Sequence, residues 1–186
     1  MLKTFAYIAA ALVVVVAGIL IYAATRPDTF RVQRSASIKA PPEKIFALID
    51  DLRGWSAWSP YEKKDPAMKR TFSGPAAGKG AAYEWDGDKS VGKGRMEIIE
   101  ATPPNKILIK LDFIKPFEGH NTAEFTMEPA KSPGGDNTVV TWAMYGSHPY
   151  FAKVMGVVMG LFINMDDMIG NDFAAGLASL KATVEK

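Results

Sequence analysis

The chain of 186 residues has no cysteine, which excludes disulfides, thiolate metal sites and cysteine nucleophiles and leaves the compartment open. Histidine is almost as scarce. His120 and His148 have neither a helical His-x-x-x-His partner nor a carboxylate at ligand spacing, so no metal and no cofactor is expected. An excess of charge of one sign is also missing: 22 Lys and Arg against 20 Asp and Glu leave +2. That is too little to neutralise a run of phosphates, and no nucleic-acid partner is expected. Gly-x-Ser-x-Gly is absent, and Gly78-Lys79-Gly80 lacks the spacing of a phosphate-binding loop. Asp86-Gly87-Asp88-Lys89-Ser90 with Glu97 imitates a calcium loop, but Val91 stands where glycine is needed, and a hairpin turn explains the Asp-Gly better.

What is present is uneven. Residues 4–25 hold 19 apolar side chains in 22 positions, with Lys3 before and Arg26 after. As a helix this run measures about 33 Å, enough for a hydrocarbon core of about 30 Å. Tyr7 and Tyr22 stand near its ends, where amphipathic rings favour the interface. A cleaved signal peptide is the alternative, but its apolar stretch is shorter, and Ile21-Tyr22-Ala23-Ala24-Thr25 offers no good Ala-x-Ala. Residues 1–25 are therefore expected to be a transmembrane anchor, 26–29 a linker and 30–186 the folded domain of a single-pass protein of a bacterial inner membrane. Arg26, Arg31, Arg34 and Lys39 follow the span while Lys3 stands alone before it, and the four-residue tail leaves the side of the membrane open.

The remaining residues are about 42% apolar, ordinary for one soluble domain. Phe30–Lys39 alternates with period two and predicts a half-buried strand, in which Arg34 shares the apolar parity. It is either a strand-end cation reaching solvent, the preferred reading, or an inward-pointing polar anchor. Pro41-Pro42-Glu43 opens a helix whose Ile45, Phe46, Ile49 and Leu52 share a face. Asp51 is placed to cap the turn Trp55–Trp58. Strands are predicted over Lys69–Ser73, Ala81–Asp86, Arg95–Glu100, Lys106–Lys115, Asn121–Glu128 and Thr138–Tyr145, separated by Gly, Pro, Asn and Asp turns such as Pro133-Gly134-Gly135-Asp136. The period then changes, and Leu161, Met165, Met168/Ile169, Phe173, Leu177, Leu180 and Val184 mark one face of a long helix. Val154–Met165 is a second apolar stretch, too short to span, read as the entry to that helix or as a membrane-touching lid. Gly156 and Gly160 have the spacing of a helix-packing seam. Met155, Met159, Met165 and Met168 crowd this region, either as an adaptable pocket wall or as core filler.

The stretches Ser37-Ile38-Lys39-Ala40-Pro41-Pro42-Glu43-Lys44-Ile45-Phe46, Trp55-Ser56-Ala57-Trp58-Ser59-Pro60, Tyr83-Glu84-Trp85-Asp86-Gly87 with Val91-Gly92-Lys93-Gly94, Thr138-Val139-Val140-Thr141-Trp142 and Gly176-Leu177-Ala178-Ser179-Leu180-Lys181 follow in an order that resembles the START-like helix-grip superfamily (SRPBCC), in particular its polyketide cyclase/dehydrase-like branch. The resemblance covers 30–186 and implies an α+β helix-grip fold, a curved antiparallel seven-stranded sheet around a long C-terminal helix. It also implies a cavity for a lipid or other apolar molecule. The family has no invariant catalytic set, so the fold cannot supply a function. The expected function is a membrane-anchored module for an apolar small molecule or lipid, with Tyr83, Trp85, Phe113, Phe125, Trp142, Met144, Met165, Ile169 and Phe173 as the lining. One alternative is a cyclase- or hydrolase-type enzyme using Glu84, Asp112, His120 and Asn121. A regulatory module for a protein partner in the membrane is the other.

Overall fold

Period-two alternation builds one seven-stranded antiparallel sheet. The computed structural model describes residues 2–130, 137–160 and 165–186, the side chains of Leu2 and Met165 excepted. Element order is α1 (Leu2–Ala24), β1 (Thr29–Lys39), α2 (Pro42–Asp50), a 3-10 turn (Leu52–Ala57), α3 (Pro60–Lys64), β2 (Lys69–Ser73), β3 (Ala82–Asp86), β4 (Lys93–Thr102), β5 (Lys106–Lys115), β6 (Gly119–Pro129), β7 (Asn137–Ser147), α4 (Tyr150–Gly160) and α5 (Met165–Val184). Sheet order is β1-β7-β6-β5-β4-β3-β2: a meander closed at its far edge by the first strand.

The predicted strands are found, several of them one or two residues longer at an end and β3 one residue shorter. α3 is an addition, five residues opened by a proline in its first turn. Asp51 does cap a turn, but one that begins at Leu52 instead of Trp55: its side chain accepts the Arg53 amide at 2.9 Å and starts the 3-10 turn. The Asp86 turn is held by its own residues: Asp88 accepts from the Ser90 amide and hydroxyl, and Lys93 pairs with Asp86 at 2.7 Å. Residues 133–136 and Leu161 lie outside the described residues.

The chain forms two compact units, Met1–Phe30 with Ser147–Met168, and Arg31–Gly146 with Ile169–Lys186. In the first, α1 is long and apolar enough to cross a membrane, and its apolar side chains are exposed. The apolar stretch read as the entry to the long helix forms a helix of its own, α4, packed against α1. Its Gly156 and Gly160 have nothing closer than the His148 ring at 3.9 Å from a Cβ position, so they form no close seam among the described residues. The core-filler reading also fails for Met155, Met159 and Met168, which are exposed.

In the second unit the inner face of the sheet meets α2, the 3-10 turn and α5. Trp142 on β7 lies between Phe125 on β6 (centroids 4.9 Å) and Phe173 on α5 (4.2 Å, rings 11° apart). Trp55 and Trp58 close the cluster edge-on. Each such pair adds about 0.5–1.5 kcal/mol beyond the area it buries. α5 approaches this closely because position 176 is glycine; a Cβ there would stand 2.6 Å from the Trp142 ring and 3.0 Å from Pro60. Gly176→Ala gains up to about 1 kcal/mol of helix propensity and loses about 1–3 kcal/mol to overpacking, so net destabilisation is expected as a lower midpoint of thermal unfolding. An unchanged or raised midpoint contradicts this account of the packing.

Candidate functional site

Register fixes what the inner face of the sheet carries. Trp85, Gly94 and Phe113 are neighbours across β3, β4 and β5, and Tyr83, Met96, Leu111, Asn121 and Gly146 form the next row from β3 to β7. Behind them come Ile98, Ile109, Ala123 and Met144, then Phe125 with Trp142. Gly94 is needed here, because a Cβ would strike the Trp85 ring, and the indole lies across the strand where that side chain would be. The Trp85 N–H donates to the Val91 carbonyl at 3.0 Å and its ring meets Phe113 edge-on.

The two ends of this face differ. At the Phe125–Trp142 end every inner residue is buried and the rings fill one another's contacts. Towards the Trp85–Phe113 end, Leu111, Phe113, Asn121 and Gly146 are half-buried, and so is Ile169 near the start of α5. The Asn121 amide sits over Gly146, where a Cβ would collide with it, and among the described residues it has no hydrogen-bond partner. Arg34 also faces inward: its guanidinium lies against the α5 backbone at Gly170, where a Cβ would overlap it, and it donates to the Gln33 carbonyl at 2.8 Å. This corrects the strand-end reading in favour of the inward polar anchor.

Of the expected lining, Phe125, Trp142 and Phe173 belong to the packed cluster, and Met144 is buried one row away. At the other end of the face Phe113 is half-buried while Tyr83 and Trp85 are buried, and Ile169 is half-buried near the start of α5. The Met165 side chain lies outside the described residues. The four polar candidates do not converge. Glu84 is on the outer face beside Arg95, and Asp112 faces His120 across β5 and β6, also outside; Asn121 alone is inside. His120 Nδ1 stands 2.7 Å from Asp112. Burial would raise the Asp112 carboxyl, but hydrogen bonds from His120 and Lys110 outweigh it and hold the group below its ordinary value.

A polar network borders the same inner face and has no sequence signature. The Tyr83 hydroxyl donates to Glu62 Oε1 at 2.6 Å, and Arg70 Nε donates to Glu62 Oε2 at 2.7 Å. Arg70 also reaches the Met68 carbonyl at 2.6 Å. Tyr83 stacks on Phe72 at 4.9 Å. The network joins residues from α3, β2 and β3, so no spacing along the chain could reveal it. Among the described residues no group of three or more His, Asp and Glu side chains is placed to hold a metal.

An open antiparallel sheet with a long C-terminal helix on one face is the helix-grip arrangement, and solved structures share it. The chain resembles the Aha1 dimer from Colwellia psychrerythraea (TM-score 0.57, 18% identity, 84% of this chain and 96% of that one). It also resembles proteins of Chromobacterium violaceum (0.56, 19%, 87% and 99%) and Thermobifida fusca (0.58, 17%, 83% and 92%). These likenesses show the fold. A model of the polyketide cyclase/dehydrase and lipid transport family matches residues 29–185, and the chain belongs to that family. No curated protein matches it.

Tyr83 supplies a pH signature for the network. Burial first, then the Glu62 carboxylate that accepts its proton, hold the phenol above its ordinary 10.0, with Arg70 working the other way. A raised folded value means the contribution is intact below about pH 10 and lost as pH rises towards the folded value, because the unfolded chain releases the proton first. Unfolding free energy from urea titrations between about pH 9 and 11 should fall with pH. In Tyr83→Phe the fall should be shallower; an identical slope would show that Tyr83 is not protected in the folded state.

Proposed function

We propose that the chain is a membrane-anchored module that receives an apolar small molecule or a lipid on the inner face of its sheet, with α1 spanning the bilayer. The observation that carries the reading is the contrast within one face. Apolar side chains at Leu111, Phe113 and Ile169 remain half-buried beside an amide, Asn121, with no side-chain partner among the described residues. Apolar surface left partly wet supplies affinity when a ligand covers it, and a polar group fixes the ligand's orientation. The family's name, polyketide cyclase/dehydrase and lipid transport, supports the same ligand class. Next to this end, the β5–β6 hairpin exposes Ile114 and Phe117, further apolar surface at the edge of the region.

The lining on this reading is Tyr83, Trp85, Phe113 and Ile169 from the sequence set, joined by Leu111 and Asn121. Phe125, Trp142 and Phe173 form its packed back wall. The enzyme reading gains nothing, since Glu84, Asp112 and His120 point away from Asn121. On this reading the protein is a single-pass membrane protein, and protease protection in sealed vesicles decides which side the domain occupies.

Mass spectrometry of molecules released from the full-length protein, extracted from native membranes, should find apolar compounds. Consistently empty protein overturns the reading. Leu111→Ala should weaken binding of whatever is found about tenfold, the loss expected for roughly 1.5 kcal/mol of apolar contact. Asn121→Leu should abolish discrimination between ligands with and without a polar head while apolar binding persists. A Leu111→Ala protein that binds as the parent does removes this face as the site.

A further inference from the structure

Helix α4 has one charged residue and, among the described residues, one exposed apolar face. Phe151, Met155, Val158 and Met159 follow the i, i+4, i+7, i+8 spacing of a single helical stripe, and all four are exposed, Phe151 by 74% and the others by 38–39%. Lys153 lies on the opposite side and is only 6% exposed. Its ammonium donates to the Arg26 carbonyl at 3.1 Å and to Asp28 at 2.6 Å. The Tyr150 hydroxyl donates to the Leu20 carbonyl at 3.0 Å. Through these bonds α4 is pinned to the last turns of α1, at the change from its apolar run to the polar Arg26-Pro27-Asp28 break.

We propose that α4 is an interfacial helix whose Phe151–Met155–Val158–Met159 stripe rests in the bilayer that α1 spans. The partner is a lipid surface, and the inference rests on the membrane-anchor reading of α1. Three features select lipid over a protein. The stripe belongs to the same compact unit as the exposed apolar side chains of α1, so the two surfaces are continuous in chemistry. The cation of α4 points away from the stripe to the polar end of the span, as a snorkelling lysine does at an interface. Tyr22, Arg26 and Tyr150, residues suited to the headgroup level, gather at the same point. An amphipathic helix so placed sinks its apolar face about 5–10 Å into the headgroup and acyl boundary. In the chain, α4 connects the last strand to the helix that grips the sheet, so lipid contact there acts on the segment between them.

The absence of cysteine gives a direct test, since one introduced cysteine carries the only label. Full-length protein with a nitroxide at Met155→Cys or Val158→Cys is reconstituted into phosphatidylcholine–phosphatidylglycerol vesicles, with Val14→Cys in the span and Glu128→Cys on the sheet as references. Collision rates with oxygen and with a water-soluble nickel complex are then compared. The oxygen-to-nickel ratio at 155 and 158 should be several-fold above that at 128 and approach that at 14. A lipid-like ratio at 14 with a water-like ratio at 155 and 158 overturns the proposal and leaves the anchor standing. A water-like ratio at 14 removes the anchor and the proposal together. Shielding of 155 and 158 from both reagents, or spin–spin broadening between copies, assigns the stripe to a protein surface and also overturns it.

Discussion

The larger unit depends on Trp142 lying between Phe125 and Phe173. The rings belong to β7, β6 and α5, so one stack ties the middle of the sheet to the C-terminal helix. Trp55 N–H donates to the Ile49 carbonyl at 2.9 Å and Trp58 N–H to the Leu48 carbonyl at 3.3 Å, so the 3-10 turn joins the cluster with its polar atoms satisfied. Trp142 differs: its buried N–H has no partner among the described residues. Such a group costs about 1–3 kcal/mol, and the stacking and burial of three rings must offset it.

That stack makes the inner face asymmetric. Where aromatic rings and Gly176 bring α5 close, side chains fill the space and the sheet behaves as an ordinary core. Further along, Gly94 and Gly146 interrupt the inner face, and Leu111, Phe113 and Asn121 are half-buried while Tyr83, Trp85 and Met96 stay buried. The polar groups of this region are few and placed apart: Asn121 on the floor, Arg34 against the start of α5, and Glu62 with Tyr83 and Arg70 along one side.

Much of this was legible because it is periodic. Alternation at Val140/Trp142/Met144 and Ala123/Phe125/Met127 named the inner residues, and parity alone separates Asp112 outside from Asn121 inside once Leu111 is taken as an inner residue. What escaped was short or non-local. α3 is five residues long, below the length at which a period of 3.6 shows itself. The Tyr83–Glu62 bond joins groups 21 residues apart, and Arg34 meets Gly170 across most of the chain. The charge of Arg34 suggests a solvent-reaching strand end, whereas Gly170 on the facing helix makes room for it inside. The apolar run from Val154 shares its helical period with the long helix, and periodicity does not mark where one helix stops and another begins.

Methionine shows how one residue type serves two solvents in this chain. Met68, Met96, Met127 and Met144 are buried in the larger unit, where a flexible thioether fills gaps between aromatic and branched neighbours. Met155, Met159 and Met168 are exposed in the smaller unit. Two charges set the limit of that surface: Lys153 is drawn to Asp28, and the same contact lowers the carboxyl of Asp28 through its hydrogen bond and its positive charge. The ion pair closes the polar end of the smaller unit, and every large side chain of α4 outside it is apolar except the Tyr150 hydroxyl, which is bound to Leu20. Sequence composition averages these two populations into one figure; the structure separates methionines buried within the larger unit from methionines exposed on the smaller one.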